Sequence, residues 1–435
     1  MTLLHLQPVD GPVHATVEIP GSKSLTNRAL VMAALADGTS ILSNALFAED
    51  TEHMIATLEA SGFAIAADPG KSRVEITGRG GHVPETVAEL FCGNSGTTLR
   101  FCTALVALGY GRFRLDGVKR MRERPISQLV DALRVLGAGV EFHGREGYPP
   151  LTVHAQGLTG GTVTFKNPAS SQFISALLMA APAAANDVLI DVAGPLVSAP
   201  YVSMTTALMG VFGATAIEEV QPQRSRFIVP APQPYRAVNL EIEPDASNAS
   251  YFLAAPAVAG GEVTVTGIGT SSIQGDARFV DVLEMMGCCV ERAVDCLTVR
   301  GPGAGEKLRP LNVDLNDMPD MVQTAAVLAL FADGRSVLRN VANLRLKEAD
   351  RLSALAHELT ALGAGVEEHP DGLAIEPPGR FQAAAINTYD DHRMAMSFAL
   401  AGLAVEGIVI NDPECVGKTF PDFFERWARL SRSQQ

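Results

Sequence analysis

The sequence predicts an α/β protein with two similar domains, each built from three βαβ-type repeats in which buried helices are surrounded by sheets. Three observations indicate this fold class: a long-period repeat, one strongly apolar helical stretch in every repeat, and short alternating runs typical of strands. The chain has 435 residues, more than a single hydrophobic core usually supports, so two domains are expected.

The repeat has a constant order of local signals. Each unit begins with a polar segment of small residues, continues into a strongly apolar stretch, turns at Gly or Asp, and enters a β-like run. The six turn residues are Gly38, Gly111, Asp187, Gly261, Gly334 and Gly407. They follow one another at intervals of 73, 76, 74, 73 and 73 residues, so six such units account for nearly the whole chain.

A second, more amphipathic helix follows within the repeat and ends at a glycine. Examples are predicted at 53–65, 128–142, 278–292 and 351–368. Their apolar residues recur at i, i+3 and i+4, which gives one packed face, and the glycine suits a left-handed position after the helix. The first helix of each unit is apolar nearly all round and is expected to be buried. Alternating runs at 73–78 and 262–267 predict strands.

The break between the two halves is predicted near residues 235–245, where the third unit gives way to the fourth. We expect a first domain at 21–239 and a second domain made of 1–20 plus 240–435, with hinge crossings near 20 and 240. A first strand is predicted at 13–19, although the pattern alone does not decide which sheet it joins.

The composition limits the possible classes of function. A net charge of −14 argues against general affinity for nucleic acid or for an anionic membrane. The N-terminal segment lacks the features of a signal peptide, and apolar stretches such as 173–185 are too short to span a bilayer. Six cysteines show no paired CxxC spacing and are expected to be reduced. A cytoplasmic protein without nucleic-acid or membrane partners is therefore predicted.

Polar side chains gather where the apolar helices begin. A buried helix leaves its first N–H groups unpaired, and its positive dipole end favours anions. The residues at these starts are Lys23, Ser24, Arg28, Asn94, Ser95, Gly96, Thr97, Arg100, Ser170, Ser171, Gln172, Asp320, Asp391, His392 and Arg393. Because they recur at equivalent positions of a repeat, they predict a cleft that binds anionic ligands. Asp320 and Glu348 add two carboxylates that could move protons.

Each of these features also has a simpler interpretation. The Gly-rich segment 93–97 lacks the P-loop pattern, and Ser170 with Ser171 is typical of a helix cap. The charged runs 119–125 and 345–351 and Lys418 would ordinarily face solvent. Asp390–Asp391–His392 could suggest a metal ligand, but a second histidine at useful spacing is missing and a helix cap is the better interpretation.

Ten ordered motifs carry a resemblance to a known family. They are PGSKSLTNR (20–28), GNSGT with Arg100, RMRERP (120–125), SSQF (170–173), LVSAPY (196–201), DASNASYFLA, MPD (318–320), NLRLKEADR (343–351), DDHRMAM (390–396) and GKTFPDFF (417–424). In these motifs the chain resembles the 5-enolpyruvylshikimate-3-phosphate synthases over nearly its full length. The resemblance implies the enolpyruvyl transferase fold, with two domains of three βαβαββ-type repeats that close over substrates.

The implied reaction uses no metal or organic cofactor. The 5-hydroxyl of shikimate 3-phosphate adds to C2 of phosphoenolpyruvate while C3 is protonated, and phosphate then leaves the tetrahedral intermediate. The resemblance implies Asp320, Glu348 and Lys23 as catalytic residues: Asp320 as base for the hydroxyl, Glu348 with Lys23 for proton transfer at C3 or the leaving group. Small-molecule substrates and a monomer are expected.

The resemblance also implies two sets of binding residues. Shikimate 3-phosphate would contact Lys23, Ser24, Arg28, Ser170, Ser171, Gln172, Ser198, Tyr201, Asp320, Asn343 and Lys347. Phosphoenolpyruvate would contact Lys23, Asn94, Gly96, Arg124, Gln172, Arg351, Arg393 and Lys418. The chemistry is consistent, because the guanidinium group can hold a carboxylate or phosphate through two parallel hydrogen bonds. Phe101 and Leu344 depart from common residues of the family without removing a charge or donor.

Two alternatives stay open. A sister enzyme that transfers enolpyruvyl to UDP-N-acetylglucosamine shares the fold, but its motif has Lys-Asn where this chain has Lys23-Ser24. It also carries a reactive cysteine in the region corresponding to 110–125, where this chain has none. The second alternative is a non-catalytic phosphometabolite-binding protein, against which the presence of Asp320 and Glu348 argues.

Overall fold

The computed structural model describes residues 2–303 and 305–430. The strands are β1 Leu3–His5, β2 Val13–Glu18, β3 Asp37–Ser43, β4 Ala64–Asp68, β5 Arg73–Arg79, β6 Val87–Phe91, β7 Tyr110–Asp116, β8 Gly139–Phe142, β9 Leu151–Gln156, β10 Gly161–Lys166, β11 Val188–Ala193, β12 Ile217–Gln221, β13 Arg224–Val229, β14 Asn239–Glu241, β15 Gly261–Thr266, β16 Cys289–Arg292, β17 Cys296–Arg300, β18 Asn312–Asp314, β19 Ser336–Arg339, β20 Gly365–His369, β21 Gly372–Glu376, β22 Ala385–Ile386 and β23 Val409–Asn411. The helices are α1 Lys23–Leu35, α2 Glu49–Ala60, α3 Gly96–Val106, α4 Ser127–Val135, α5 Ser171–Ala180, α6 Ala199–Val211, α7 Ala246–Ala259, α8 Phe279–Met285, α9 Val322–Ala329, α10 Arg351–Ala361, α11 His392–Ala401 and α12 Phe423–Leu430.

The chain divides into two compact units. The central unit is Gly21–Ile242, and the terminal unit combines the residues up to Pro20 with those from Glu243 onward. The names refer to position in the sequence. Each unit has its own hydrophobic core, as expected for a chain too long for a single core.

The apolar helices form the centre of each core. Nearly every residue of α1, α3 and α5 in the central unit is buried, and so are α7, α9 and α11 in the terminal unit. This confirms the interpretation of their all-round apolar sequences. Several of them begin at a side-chain cap: Ser22 accepts from the Leu25 N–H, Ser95 from Thr98 and Ser170 from Gln172.

The amphipathic helices are shorter than the predicted ranges. Helices α2, α4, α8 and α10 end before a glycine with positive φ, and the residues after it form β4, β8, β16 and β20. The predicted ranges therefore ran past the true helix ends into strands. The glycines are Gly62 (φ 93°), Gly137 (φ 103°), Gly287 (φ 109°) and Gly363 (φ 99°). The left-handed conformation expected of them is confirmed.

The sheets show how the strands of each repeat are connected and paired. In the order β6-α3-β7-α4-β8-β9, β6 pairs in parallel with β7, while β9 pairs antiparallel with both β7 and β8. The elements from β10 to β13 and from β18 to β21 repeat this arrangement. A parallel crossover over a buried helix places the start of that helix at the end of the preceding strand, which is where the polar segments of the repeats lie.

Two strands complete sheets far from their place in the sequence. β2 pairs in parallel with β15, with Val13 opposite Gly261, and β14 pairs in parallel with β3, with Asn239 opposite Ile41. Each strand takes the opening position of a βαβαββ repeat, β14 in the central unit and β2 in the terminal unit. In the last repeat, β22 and β23 are joined by β1 at the edge.

Other expectations concern the whole chain. Within the described ranges, no helix has both the length and the apolar character needed to cross a membrane. All six cysteines are free of disulfide bonds.

Candidate active site

The central unit brings predicted residues together at the first turns of its buried helices. We call Lys23, Ser24, Arg28, Asn94, Gly96, Arg124, Ser170, Ser171, Gln172, Ser198 and Tyr201 the central set. Lys23 opens α1, and its Nζ lies 3.1 Å from Oδ2 of Asp50, a buried carboxylate in the first turn of α2. The Asp50 carbonyl accepts from the hydroxyls of Ser95 and Thr98. Asp50 therefore links the lysine to the start of α3.

Arg28 is the most enclosed cation of the central set, with 1% of its surface exposed. Its guanidinium donates to neutral oxygens: the Thr205 and Ser175 hydroxyls and the carbonyls of Ser24 and Tyr201. Cζ also lies 5.2 Å from the ring centroid of Phe101 and 5.9 Å from that of Tyr201, distances that allow cation–π attraction. Arg28 thus fixes Ser24 and Tyr201 against each other.

Two more arginines surround Gly96 at the start of α3. Arg100 donates to Oε1 of Gln172 at 2.6 Å, and Arg124 donates to the carbonyl and Oδ1 of Asn94 at 2.9 and 3.3 Å. A Cβ on Gly96 would lie 2.5 Å from Arg100 Nη1 and 2.6 Å from Arg124 Nη2. The missing side chain therefore leaves room for both guanidinium groups at one helix end.

The remaining members of the central set lie at two other helix starts. Ser170 caps α5 and Ser171 is its first residue. Ser198 precedes α6 in a left-handed conformation with φ 54°, which is uncommon outside glycine. It is 4% exposed. Tyr201 lies in the first turn of α6, where its carbonyl accepts from Arg28.

The terminal unit joins its predicted residues through ion pairs. The terminal set is Asp320, Asn343, Lys347, Glu348, Arg351, Arg393 and Lys418. Asp320 lies in a 3₁₀ turn ahead of α9. Its Oδ1 accepts from Lys347 Nζ at 3.2 Å and Arg351 Nη1 at 3.0 Å, and its Oδ2 accepts from Arg393 Nη2 at 3.0 Å. One carboxylate thus contacts three cations.

Arg351 occupies the middle of this cluster. Its Nε and Nη2 donate to the two oxygens of Asp391 at 2.7 and 3.2 Å, and Nη2 also donates to Glu348 Oε2 at 3.0 Å. Such two-point pairing fixes the guanidinium plane. Arg393 donates from its other arm to the buried hydroxyl of Tyr251 at 3.2 Å.

The other members of the terminal set lie nearby in sequence or on an adjoining segment. Asn343 belongs to a 3₁₀ segment, Ala342–Leu346, that leads to Lys347. Lys418 ends the 3₁₀ segment Pro413–Lys418, which packs against α11. Lys418 is 4% exposed, so the ordinary interpretation as a solvent-exposed lysine is wrong.

Burial acts to lower the pKa of each of these cations, and the partners decide whether the net pKa falls or rises. Burial lowers the pKa of Arg28 to about 10, although Tyr201 acts in the other direction. Burial also lowers the pKa of Lys347, although Asp320 opposes it. For Arg351 burial is outweighed by Asp391, Glu348 and Asp320, so its pKa is raised.

Three contributing residues make contacts that the sequence did not indicate. Asp50 is separated from Lys23 by the rest of α1, by β3 and by a loop, and nothing local links the two. Asp391 does cap α11, as predicted, by accepting from the Arg393 N–H at 3.0 Å, but its pairing with Arg351 depends on tertiary packing. Tyr251 belongs to a recognised motif, yet its contact with Arg393 could not be foreseen.

A metal centre finds no support in the described parts of the chain, where His, Cys, Asp and Glu side chains form no group of three able to hold an ion.

Comparison with known proteins decides the family. Residues 9–427 match the family model of EPSP synthase (3-phosphoshikimate 1-carboxyvinyltransferase). The chain belongs to the EPSP synthase family. It is 50% identical over 430 residues to the 3-phosphoshikimate 1-carboxyvinyltransferase of Nostoc punctiforme, covering 99% of both chains. It is 48% identical over 432 residues to that of Shewanella baltica, covering 99% of this chain and 100% of the relative.

Solved structures of EPSP synthases agree with the fold. The enzyme from Acinetobacter baumannii matches with a TM-score of 0.78 and 25% sequence identity, covering 98% of each chain. The predicted fold class and the predicted family resemblance are therefore confirmed. The alternative acceptor, UDP-N-acetylglucosamine, is not favoured.

Proposed function

We propose that the chain transfers the enolpyruvyl group of phosphoenolpyruvate to the 5-hydroxyl of shikimate 3-phosphate and releases phosphate. Membership of the EPSP synthase family over residues 9–427 makes it an enolpyruvyl transferase of the shikimate pathway. The observation that carries the chemistry is the cluster in which Asp320 and Glu348 lie among Lys347, Arg351 and Arg393. Carboxylates fixed among cations suit proton transfer on phosphorylated substrates.

Shikimate 3-phosphate is assigned to residues that combine hydroxyl donors with cations. In the central set these are Lys23, Ser24, Arg28, Ser170, Ser171, Gln172, Ser198 and Tyr201, and in the terminal set Asp320, Asn343 and Lys347. The starts of α1 and α5 support this assignment, since helix N-termini favour a phosphate. The hydroxyls and amides suit the substrate's own hydroxyl groups.

Phosphoenolpyruvate is assigned to Lys23, Asn94, Gly96, Arg124, Gln172, Arg351, Arg393 and Lys418. Its carboxylate and phosphate need several donors, and arginines can grip each group at two points. The space at Gly96 supports the assignment, because it leaves the Arg124 guanidinium beside the start of α3. An anion there would meet both a cation and the helix dipole.

The proposed chemistry is addition followed by elimination. Asp320 accepts the proton of the 5-hydroxyl of shikimate 3-phosphate while the hydroxyl oxygen forms a bond to C2 of phosphoenolpyruvate. At the same time C3 of phosphoenolpyruvate takes up a proton. C3 then loses a proton, the double bond reforms, and phosphate leaves C2. Glu348 and Lys23 are assigned to proton transfer at C3 and at the leaving group. An anion that binds Arg351 and Arg393 competes with Asp320 for them, which frees Asp320 to accept a proton.

The assignments extend to features beyond the reaction itself. We infer small-molecule substrates, a monomeric state and a cytoplasmic location, which remain predictions of the sequence. The domain bounds of 21–239 and 1–20 plus 240–435 likewise remain a proposal.

Phosphate release tests the proposed function directly. Purified protein is incubated with shikimate 3-phosphate and phosphoenolpyruvate, and phosphate is measured over time. The same assay with UDP-N-acetylglucosamine as acceptor is the comparison. We expect release with the first pair and none with the second. A protein that binds shikimate 3-phosphate without releasing phosphate would instead be a non-catalytic binder.

A further inference from the structure

Glu358 is a buried carboxylate to which the proposed reaction gives no role. It lies on α10 with 1% of its surface exposed. It follows Arg351 by seven residues on the same helix, which is close to two full turns. The two residues therefore occupy one face of α10, and both contact the segment that leads into α11.

The contacts of Glu358 all go to the end of that segment farther from α11. Oε2 accepts from the backbone N–H of Asn387 at 3.1 Å, while Oε1 accepts from Asn387 Nδ2 at 3.2 Å and from the Tyr389 hydroxyl at 2.7 Å. Burial and the neighbouring carboxylate raise the pKa of Tyr389, so its hydroxyl stays protonated as a donor. Both oxygens of Glu358 must therefore act as acceptors.

The segment held by Glu358 contains an unfavourable backbone turn. Tyr389 and Asp390 are consecutive non-glycine residues with φ of 57° and 55°, a left-handed conformation that persists only where surrounding contacts fix it. The next residue, Asp391, caps α11 and pairs with Arg351. Arg393 follows two residues later. The turn thus determines where both the Arg351 partner and Arg393 are placed.

We propose that Glu358 is a positioning residue for phosphoenolpyruvate, acting through the turn at Tyr389 and Asp390 on Asp391. The carboxylate holds one end of the segment against α10, and the pair between Arg351 and Asp391 holds the other. Without Glu358 the turn can relax toward ordinary backbone angles, which shifts Asp391 and the first turn of α11. The inference rests on the proposed function only in assigning phosphoenolpyruvate to Arg351 and Arg393.

The test uses the variant Glu358→Gln. Glutamine keeps the shape but replaces one acceptor oxygen with an NH₂ donor that faces existing donors. We expect the KM for phosphoenolpyruvate to rise on the order of ten- to a hundredfold, as for misplacement of a binding group. The KM for shikimate 3-phosphate should change less, because most of its assigned contacts lie in the central set. Initial rates are measured well below the unfolding temperature of the variant.

A second variant keeps the test decisive if Glu358→Gln fails to fold. Tyr389→Phe removes one hydroxyl from a partly exposed side chain and should raise the same KM by a smaller factor. When both variants fold, the KM for phosphoenolpyruvate of the double variant should rise by less than the product of the two single increases, because the two residues share one contact.

The control separates positioning from general destabilisation. Ile375→Val removes one methyl group from a fully buried residue of the terminal unit and should lower the unfolding temperature without changing either KM. If Glu358→Gln and Tyr389→Phe behave like this control, the inference is wrong. Failure of the wild-type chain to release phosphate would instead contradict the proposed function.

Discussion

Arg28 in the central unit and Arg351 in the terminal unit are equally buried, with 1% of each residue exposed. Their surroundings differ: Arg28 donates to hydroxyls and carbonyls, whereas Arg351 donates to the carboxylates of Asp320, Glu348 and Asp391. Accordingly, burial lowers the pKa of Arg28 and the carboxylates raise that of Arg351. A buried arginine is thus bonded to neutral oxygens in the central unit and paired with carboxylates in the terminal unit.

This difference indicates that the central set and the terminal set have different roles. In the central set, Arg28 lies beside neutral acceptors, and Lys23 is paired with the carboxylate of Asp50. An anion that binds there therefore stabilises the buried positive charge. In the terminal set, Lys347, Arg351 and Arg393 are already paired with carboxylates before a ligand binds. Such a cluster suits rearrangement of partners and movement of protons more than simple attraction of an anion.

The largest effect is expected for Glu348→Gln. Glutamine can still accept from Arg351 but cannot take up a proton, so kcat should fall on the order of 10²- to 10⁴-fold with little change in binding of shikimate 3-phosphate. Steady-state kinetics and direct titration of that substrate measure both. The control Glu368→Gln alters a partly exposed carboxylate paired with Arg345 and should leave turnover unchanged. Equal losses of kcat and affinity would mean that Glu348 is structural.

A matched pair of arginine variants tests the comparison itself. Arg351→Gln leaves three carboxylates without their shared cation and should lower the free energy of unfolding by about 3–5 kcal/mol. Arg28→Gln should lower it less, by about 1.5–3 kcal/mol, the scale of a hydrogen bond that involves a charged group. The loss is smaller because removal of Arg28 leaves no carboxylate unpaired, and the Thr205 hydroxyl can donate to either the Ser175 hydroxyl or the Tyr201 carbonyl. Urea unfolding measures both, and equal losses would contradict the contrast.

The smallest effect is expected for Gly96→Ala in the central set. The new Cβ would press on Arg100 and Arg124, whose side-chain ends can shift, so the KM for phosphoenolpyruvate should rise about tenfold. The KM for shikimate 3-phosphate should stay near its wild-type value. Gly210→Ala is the matched control, because a Cβ there meets nothing within 4 Å. A similar change in both KM values would place Gly96 outside the phosphoenolpyruvate site.

Much of the fold could be predicted because its signals are local and repeated. The period of the turn residues from Gly38 to Gly407 and the all-round apolar helices gave the number and type of units. The ends of α2 and α10 were placed too late, since the strand after each glycine continues the apolar pattern. The partners of β2 and β14 could not be predicted, because pairing with distant strands leaves no trace in a local window.

The residues of the candidate site likewise divide into those that could be predicted from the sequence and those that could not. Residues at helix starts, such as Lys23 and Arg393, were recognisable because cation and cap recur at equivalent positions. The roles of Asp50 and Glu358 were not recognisable, because both act through contacts that exist only after the helices pack. A buried carboxylate looks like any surface carboxylate in sequence until its neighbours are known.

The distant pairing of β2 bears on how the chain is made. Val13 pairs with Gly261, about 250 residues later, so the ribosome must synthesise the whole central unit before that sheet can form. Domains generally fold as units during synthesis, and the central unit, closed by β14, can do so first. Until β15 has been synthesised, β2 lacks its partner strand. A strand that leaves the ribosome before the central unit is therefore among the last to reach its final place, which makes β2 a point where a chaperone or a wrongly paired strand can intervene.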